Sequence, residues 1–306
     1  MPDSPRRTSR TAEELATQPE NWRRAAGLAA SAAPALPQRG ERVAVVGCGT
    51  SWFMAQAYAA LREAGGHGET DAFAASEYPE GRRYDRVLTI TRSGTTTEVL
   101  DLLDRLKAPT TAITATFDTP VHRSAGQAVV LDFADEESVV QTRFATTALA
   151  LLRAHLEIEG ALAPGVRPVA AAAQDAEAAL AEPLPPGWAG AEQISFLGRG
   201  WTNGLALEAG LKMREAAGAW TESYPAMEYR HGPVAIAAPG RLVWSFGEPP
   251  AGLAEQIAAT GAELVTSALD PLADLVRVHR LAVATAEARG LDPDEPRALT
   301  RSVVLR

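Results

Sequence analysis

Arg42-Val-Ala-Val-Val46, then Gly47-Cys-Gly49, then Thr50-Ser51 opening an alanine-rich stretch to about Arg62, is the segment that decides the fold. A short apolar run bounded by glycine reads as a buried strand, and the longer stretch after it as a helix. The order strand, tight turn, helix returns at Val87-Leu-Thr-Ile90, Ser93-Gly94 and residues 98–106. Residues 111–115 and 129–133 read as two more strands, with a helix over 142–159. Strands alternating with helices imply an α/β fold, a parallel sheet covered on both faces.

The pattern then repeats. Ile194-Ser-Phe-Leu197 and Gly198-Arg-Gly200, a glycine turn 151 residues after the first, lead into a second alanine-rich helix over 205–217. The first stretch closes on Arg62-Glu63 and the second on Arg214-Glu215. This is the mark of an internal duplication. Residues 242–246, 263–265 and 281–283 are expected as strands of the second copy, and the proline-bounded segment 164–186 as the connection into it. At the front, residues 1–12 read as a loose polar tail. Thr11 is expected to cap a first helix with Glu14 as its partner, and Gln18-Pro19 to interrupt before a helix over 20–33.

Composition narrows the classes. Of 306 residues, 46% are apolar and 22% charged, which is ordinary globular usage. No apolar run approaches the roughly 20 residues that span a bilayer, and the first residues have no apolar stretch after the arginines, so no secretory signal is expected. The single Cys48 excludes an intramolecular disulfide and any multi-cysteine metal site. The expected compartment is the cytoplasm. A net charge of −9 argues against a broad nucleic-acid surface, although not against a small anion held by loops and helix ends.

Two loops suit such an anion. Gly47-Cys-Gly-Thr-Ser51 and Thr91-Arg-Ser-Gly-Thr-Thr96 both follow strands and open helices, where backbone amides, hydroxyls and a helix N-terminus converge on phosphate. Neither is a dinucleotide or Walker loop. A second segment, Leu211-Lys-Met-Arg-Glu215 followed by Tyr229-Arg-His-Gly-Pro233, sets Lys212 and Glu215 on one helical face and His231 in a constrained turn. Only Lys107 and Lys212 are lysines among 29 basic residues, and an ammonium can lose a proton where a guanidinium does not. A surface ion pair beside a structural histidine would produce the same pattern. His67, His122, His155 and His279 have no ligand-like spacing and read as structural or surface residues, and Cys48 as a packing residue in a tight turn.

These motifs, with Ala75-Ser-Glu-Tyr78, Ala206-Leu-Glu-Ala-Gly-Leu-Lys-Met-Arg-Glu215 and the tail Asp292-Pro-Asp-Glu-Pro-Arg-Ala-Leu-Thr-Arg-Ser302, resemble the sugar isomerase (SIS) domains, most closely the tandem isomerase half of glucosamine-6-phosphate synthase. Val139-Val-Gln-Thr-Arg-Phe144 and Thr91-Arg-Ser-Gly94 look more like the stand-alone aminosugar isomerase/deaminase branch. The resemblance implies two tandem SIS domains, each a flavodoxin-like three-layer sandwich with a parallel sheet flanked by helices. It divides the chain into a lead-in over 1–20, a first domain over 21–165, a second over 166–290, and a tail over 291–306 that closes over the site. It implies phosphate and sugar contacts at Thr50, Ser51, Thr91, Arg92, Ser93 and Thr96. It further implies a base at Glu215, a substrate-contacting ammonium at Lys212, and ring opening by His231 reaching across a homodimer with shared active sites.

Two departures bear on the chemistry. Too few residues precede the first sheet for a glutamine-hydrolysing domain, and the lysine that the synthase uses to form an imine aligns with Arg301, a possible tail contact that forms none. Neither glutaminase activity nor amide transfer is therefore expected. An aminosugar 6-phosphate is the implied small-molecule substrate, undergoing isomerisation or deamination. The alternatives are dehydration of N-acetylglucosamine 6-phosphate and a non-catalytic phosphosugar sensor. No metal or organic cofactor, nucleic acid or membrane is implied.

Overall fold

The computed structural model describes residues 8–305, so residues 1–7 of the expected polar tail lie outside it. Two helices lead in, α1 (Arg10–Leu15) and α2 (Gln18–Ala32). The expected capping box is not used. Ser9 caps α1, its Oγ accepting from the Ala12 amide at 3.2 Å. Thr11 instead donates its hydroxyl to Asp294, and Glu14 accepts from the amides of Glu137 and Ser138. Long-range partners have taken both side chains away from the local cap. Pro19 sits in the first turn of α2, where its missing N–H costs nothing, and it helps start the helix rather than breaking it.

The first half runs β1 (Val43–Gly47), α3 (Thr50–Ala64), β2 (Thr70–Ala74), β3 (Arg86–Ile90), α4 (Thr97–Arg105), β4 (Thr110–Thr114), α5 (Val121–Ser124), β5 (Gln127–Val130) and α6 (Arg143–Ile158). The second runs α7 (Val169–Ala181), β6 (Ile194–Gly198), α8 (Thr202–Ala217), β7 (Thr221–Pro225), β8 (Leu242–Ser245), α9 (Leu253–Ala258), β9 (Glu263–Val265) and α10 (Pro271–Ala288). The first sheet has the order β2-β1-β3-β4-β5 and the second β7-β6-β8-β9, with every pairing parallel. The strand orders coincide through four strands, as a duplicated unit requires. Residues 281–283, expected as a strand, lie inside α10, which is apolar around most of its circumference and buried there. Strands β2 and β7 were not foreseen.

A single apolar cluster crosses both halves. It includes Trp22 of α2, Tyr58 of α3, Phe144 of α6, Phe196 of β6, Trp244 of β8 and Leu275 of α10. Burying each such side chain contributes about 1.5–3 kcal/mol. Smaller clusters under α4 and α9 cover the other faces of the sheets. The two halves meet where α3 packs on α8. Gly204 permits that approach, since a Cβ there would lie 2.5 Å from the Phe53 carbonyl oxygen. No helix among the described residues is long and apolar enough to cross a membrane.

Candidate active site

The carboxyl ends of β1 and β3 open into a cavity of about 210 Å³. Its floor is the turn from β1 into α3, where a Cβ on Gly47 would strike the Ser51 backbone at 2.6 Å. Only glycine lets the turn close that tightly. The loop after β3 turns at Gly94, whose φ of +63° again favours glycine. Around the cavity stand Thr50, Ser51, Thr91, Arg92, Ser93 and Thr96 from these two loops, Gln141 from the segment before α6, Glu215 from the last turn of α8, and Arg301 and Ser302 from the tail. Eight of the ten residues singled out from the sequence are therefore brought together.

Hydroxyls dominate the loop end. The Ser302 hydroxyl lies 3.1 Å from Ser93 Oγ, 3.0 Å from Thr95 Oγ1 and 3.3 Å from Thr96 Oγ1. The tail is held by backbone bonds as well, with Thr97 N–H donating to the Val303 carbonyl. Arg92 is buried and braces the assembly, donating to the Ser138 carbonyl at 2.8 Å and the Arg301 carbonyl at 3.2 Å, with the Glu136 carboxylate 3.7 Å away. Arg301 turns its guanidinium onto Asp135 and the Glu136 carbonyl. A cluster of donors beside two helix N-termini suits the oxygens of a phosphate.

Glu215, which lines the same cavity, is about 20% exposed and bonded to Lys212. Lys212 is 1% exposed and does not line the cavity; it contacts Glu215 from beneath rather than the cavity itself. Burial opposes its charge, but Glu208 and Glu215 more than offset this and hold its pKa above that of free lysine. Glu208 has no direct part in the cavity wall. It is fully buried with Lys212 Nζ 3.7 Å away, and burial pushes its carboxyl up to about 8 against the pull of that ammonium. No role was read for Glu208 in the sequence, although its spacing of four from Lys212 and seven from Glu215 puts all three on one face.

His231 ends a short 3-10 helix over Glu228–His231, is exposed, and does not line the cavity of a single copy. Cys48 lines it, with its thiol facing Glu98 at 3.8 Å, and burial pushes the thiol up to about 11. It is held as a thiol, not as a nucleophilic thiolate. Gln141, which the sequence offers only as part of a motif, lines the cavity, and its carboxamide oxygen is buried without a hydrogen-bond partner. Among the described residues no group of three or more His, Cys, Asp or Glu is placed to hold a metal ion.

No family model matches the chain. A glutamine–fructose-6-phosphate aminotransferase of Xylella fastidiosa is 28% identical over 316 aligned positions, covering 86% of this chain and 52% of the relative. Another, from Sulfurisphaera tokodaii, is 26% identical and covers 87% of this chain and 50% of its own length. Its relatives are the isomerase (SIS) half of these aminotransferases. The chain spans about half the length of the curated relatives it matches. Among solved structures, glucosamine-6-phosphate deaminase of Thermotoga maritima superposes with a TM-score of 0.78 at 23% identity, over 97% of this chain and all of that one. Tagatose-6-phosphate ketose/aldose isomerase of Escherichia coli does so at 0.75 and 18%, over 97% and 99%. At these identities the superpositions establish the shared fold: parallel sheets flanked by helices, as in the SIS proteins.

Proposed function

We propose that this chain is an aminosugar-6-phosphate isomerase/deaminase in which Glu215 takes the proton from the carbon beside the carbonyl. One observation carries the reading: a carboxylate lines the same cavity as a cluster of hydroxyls at two helix N-termini. Ser51, Ser93 and Thr96 hold the phosphate, and Arg92 and Arg301, each facing a carboxylate of its own, stand beside it. This leaves the carbonyl end of an opened sugar for Glu215.

On an open-chain 2-amino sugar, Glu215 removes the C2 proton and the electron pair moves onto the aldehyde oxygen, giving an enolamine. Return of a proton to C1 gives a C2 iminium, and water adds to it and releases ammonia, leaving the ketose 6-phosphate. A positioned carboxylate contributes roughly 10²–10⁴ in rate to the first step. Ring opening is assigned to His231 of a second copy in a homodimer, which fits its exposure and its place outside the cavity of its own chain.

Incubation with hexosamine 6-phosphates and with their N-acetyl derivatives in deuterated water, followed by NMR, tests this. The expected result is deuterium at C1 of a ketose product together with ammonia. An olefinic proton with an acetyl group retained would replace deamination by dehydration. Tight binding with no exchange at all would leave a sensor.

A further inference from the structure

Beneath Glu215 a line of buried polar side chains continues through the core. Both carboxylate oxygens of Glu208 lack a hydrogen-bond partner, and His279 Nε2, from α10, lies 3.7 Å from Oε1. His279 is itself 1% exposed, and its Nδ1 is 3.3 Å from the Gln18 side-chain nitrogen. The orientation of Gln18 follows from its other partners. Its amide nitrogen meets the Leu15 carbonyl at 3.1 Å, which only accepts, and its oxygen meets the Thr146 hydroxyl at 2.8 Å. Nδ1 of His279 must therefore accept from Gln18, and the ring proton is assigned to Nε2, on the side of Glu208.

We propose that His279 is a positioning residue for the reaction: its Nε2–H favours ionised Glu208, and ionised Glu208 shares the Lys212 ammonium with Glu215, which keeps Glu215 basic. This rests on the reading of Glu215 as the base. Two carboxylates and one ammonium make up the buried group. With Glu208 protonated, the whole field of Lys212 falls on Glu215 and weakens it as a base. With Glu208 ionised, that field is divided and a like charge is added, which strengthens it. The balance lies within the ordinary pH range, because burial sets the Glu208 carboxyl at about 8. Burial and Lys212 push the imidazole down to about 3, so His279 acts through the dipole of its neutral ring, whose Nε2–H has no hydrogen-bond partner and lies 3.7 Å from the carboxylate, not as a cation.

The groups that face this carboxyl come from each packed element: Lys212, Glu215 and Arg214 on α8, His279 on α10, the Thr50 hydroxyl at the start of α3, and Gln18 on α2 behind His279. Glu136, before α6, acts on both Lys212 and His279.

The test uses the full chain and two readouts. The first is the pH dependence of kcat/KM on the hexosamine 6-phosphate. The second is a titration of the glutamate side-chain carboxyls by carbon-13 NMR, with Glu208 assigned by Glu208→Gln. His279→Leu is expected to raise the Glu208 titration and the rising limb of kcat/KM together by about one pH unit. KM should stay near its wild-type value and kcat below the limb should fall about tenfold. His279→Gln restores an N–H donor and is expected to return both midpoints most of the way. Should His279→Leu not fold, Gln18→Leu, which frees the tautomer, is expected to shift both midpoints upward by a smaller amount. Unmoved midpoints in a folded His279→Leu or Gln18→Leu protein would overturn the proposal, as would a moved carboxyl beside an unmoved kcat/KM. A wild-type protein without turnover would instead refute the assigned reaction, and the carboxyl titration would still decide whether His279 sets Glu208.

Discussion

Replacing Lys212 with methionine separates the contributions of the two carboxylates it serves. The side chain is 1% exposed, so the substitution removes a charge without opening a path for water. Breaking a buried ion pair from one side costs about 3–5 kcal/mol when the other charge stays. Here the other charge has an escape, because Glu208 can take up a proton. Its folded pKa of about 8 is already above the unfolded value, so its favourable contribution is present at low pH and is lost as pH rises toward 8. Without Lys212 the main pull lowering that pKa is gone, and the loss extends to higher pH. At pH 6 Glu208 is protonated in both proteins, and the variant should be less stable by only about 1 kcal/mol, for the partly exposed Glu215. Between pH 8 and 9.5 the difference should widen by about 2 kcal/mol, from 1.36 kcal/mol per unit for one proton. Urea denaturation at pH 6, 8 and 9.5 measures this. A stability difference that is the same at pH 6 and 9.5 would refute the reasoning about the buried triad.

Glu215→Gln should lower kcat by about 10²–10⁴ while thermal stability stays near wild type, because one carboxylate then faces one ammonium; enzyme assay and differential scanning calorimetry check the two halves. Thr96→Val removes a hydroxyl from the loop and should weaken inorganic phosphate and sugar phosphate binding about tenfold by isothermal titration calorimetry, leaving the fold intact. Mixing and refolding Glu215→Gln with His231→Ala should recover about a quarter of wild-type activity, since half the dimers are mixed and each mixed dimer has one site with both residues; no recovery would place His231 in its own copy's site or outside the site. In acid, His155, pushed down to about 4 by burial beside His67, is neutral in the folded chain and charged in the unfolded one below pH 6.5. Its folded pKa is depressed, so stability is full above pH 6.5 and falls as pH drops toward 4, and His155→Phe should flatten that fall by about 1–2 kcal/mol in urea titrations at pH 7 and 5.

What the sequence shows of this fold is what local chemistry dictates. Turns at Gly47 and Gly94 are written in glycine, because backbone and side-chain contacts leave no room for a Cβ. The apolar strands β1, β3 and β6 are buried end to end or nearly so. Strand β2, with Asp71 as its second residue, and β7, with Glu222 and a terminal Pro225, each lie at one edge of a sheet; they are half exposed and carry no apolar run to announce them. Residues 281–283 misled in the opposite direction, since three apolar residues in a row fit a buried helix as well as a strand.

The site divides in the same way. Its hydroxyl loops and Glu215 stand at element ends, where spacing betrays them. Glu208 shares its helix face with Lys212 and Glu215, but its neighbour His279 lies 71 residues further along the chain, so only the packing of α8 on α10 reveals that pair. The capping box at Thr11 was plausible chemistry that lost to stronger partners, because Asp294 from the tail and the amides of 137 and 138 reach those side chains in the folded chain.

The most direct test of the whole account is the fate of the C2 hydrogen of glucosamine 6-phosphate in deuterated water, followed by proton NMR with wild type and Glu215→Gln side by side. The account predicts that wild type removes that hydrogen, and that the variant binds the same sugar phosphate yet removes it at least about a hundredfold more slowly. Equal rates in the two proteins would contradict it.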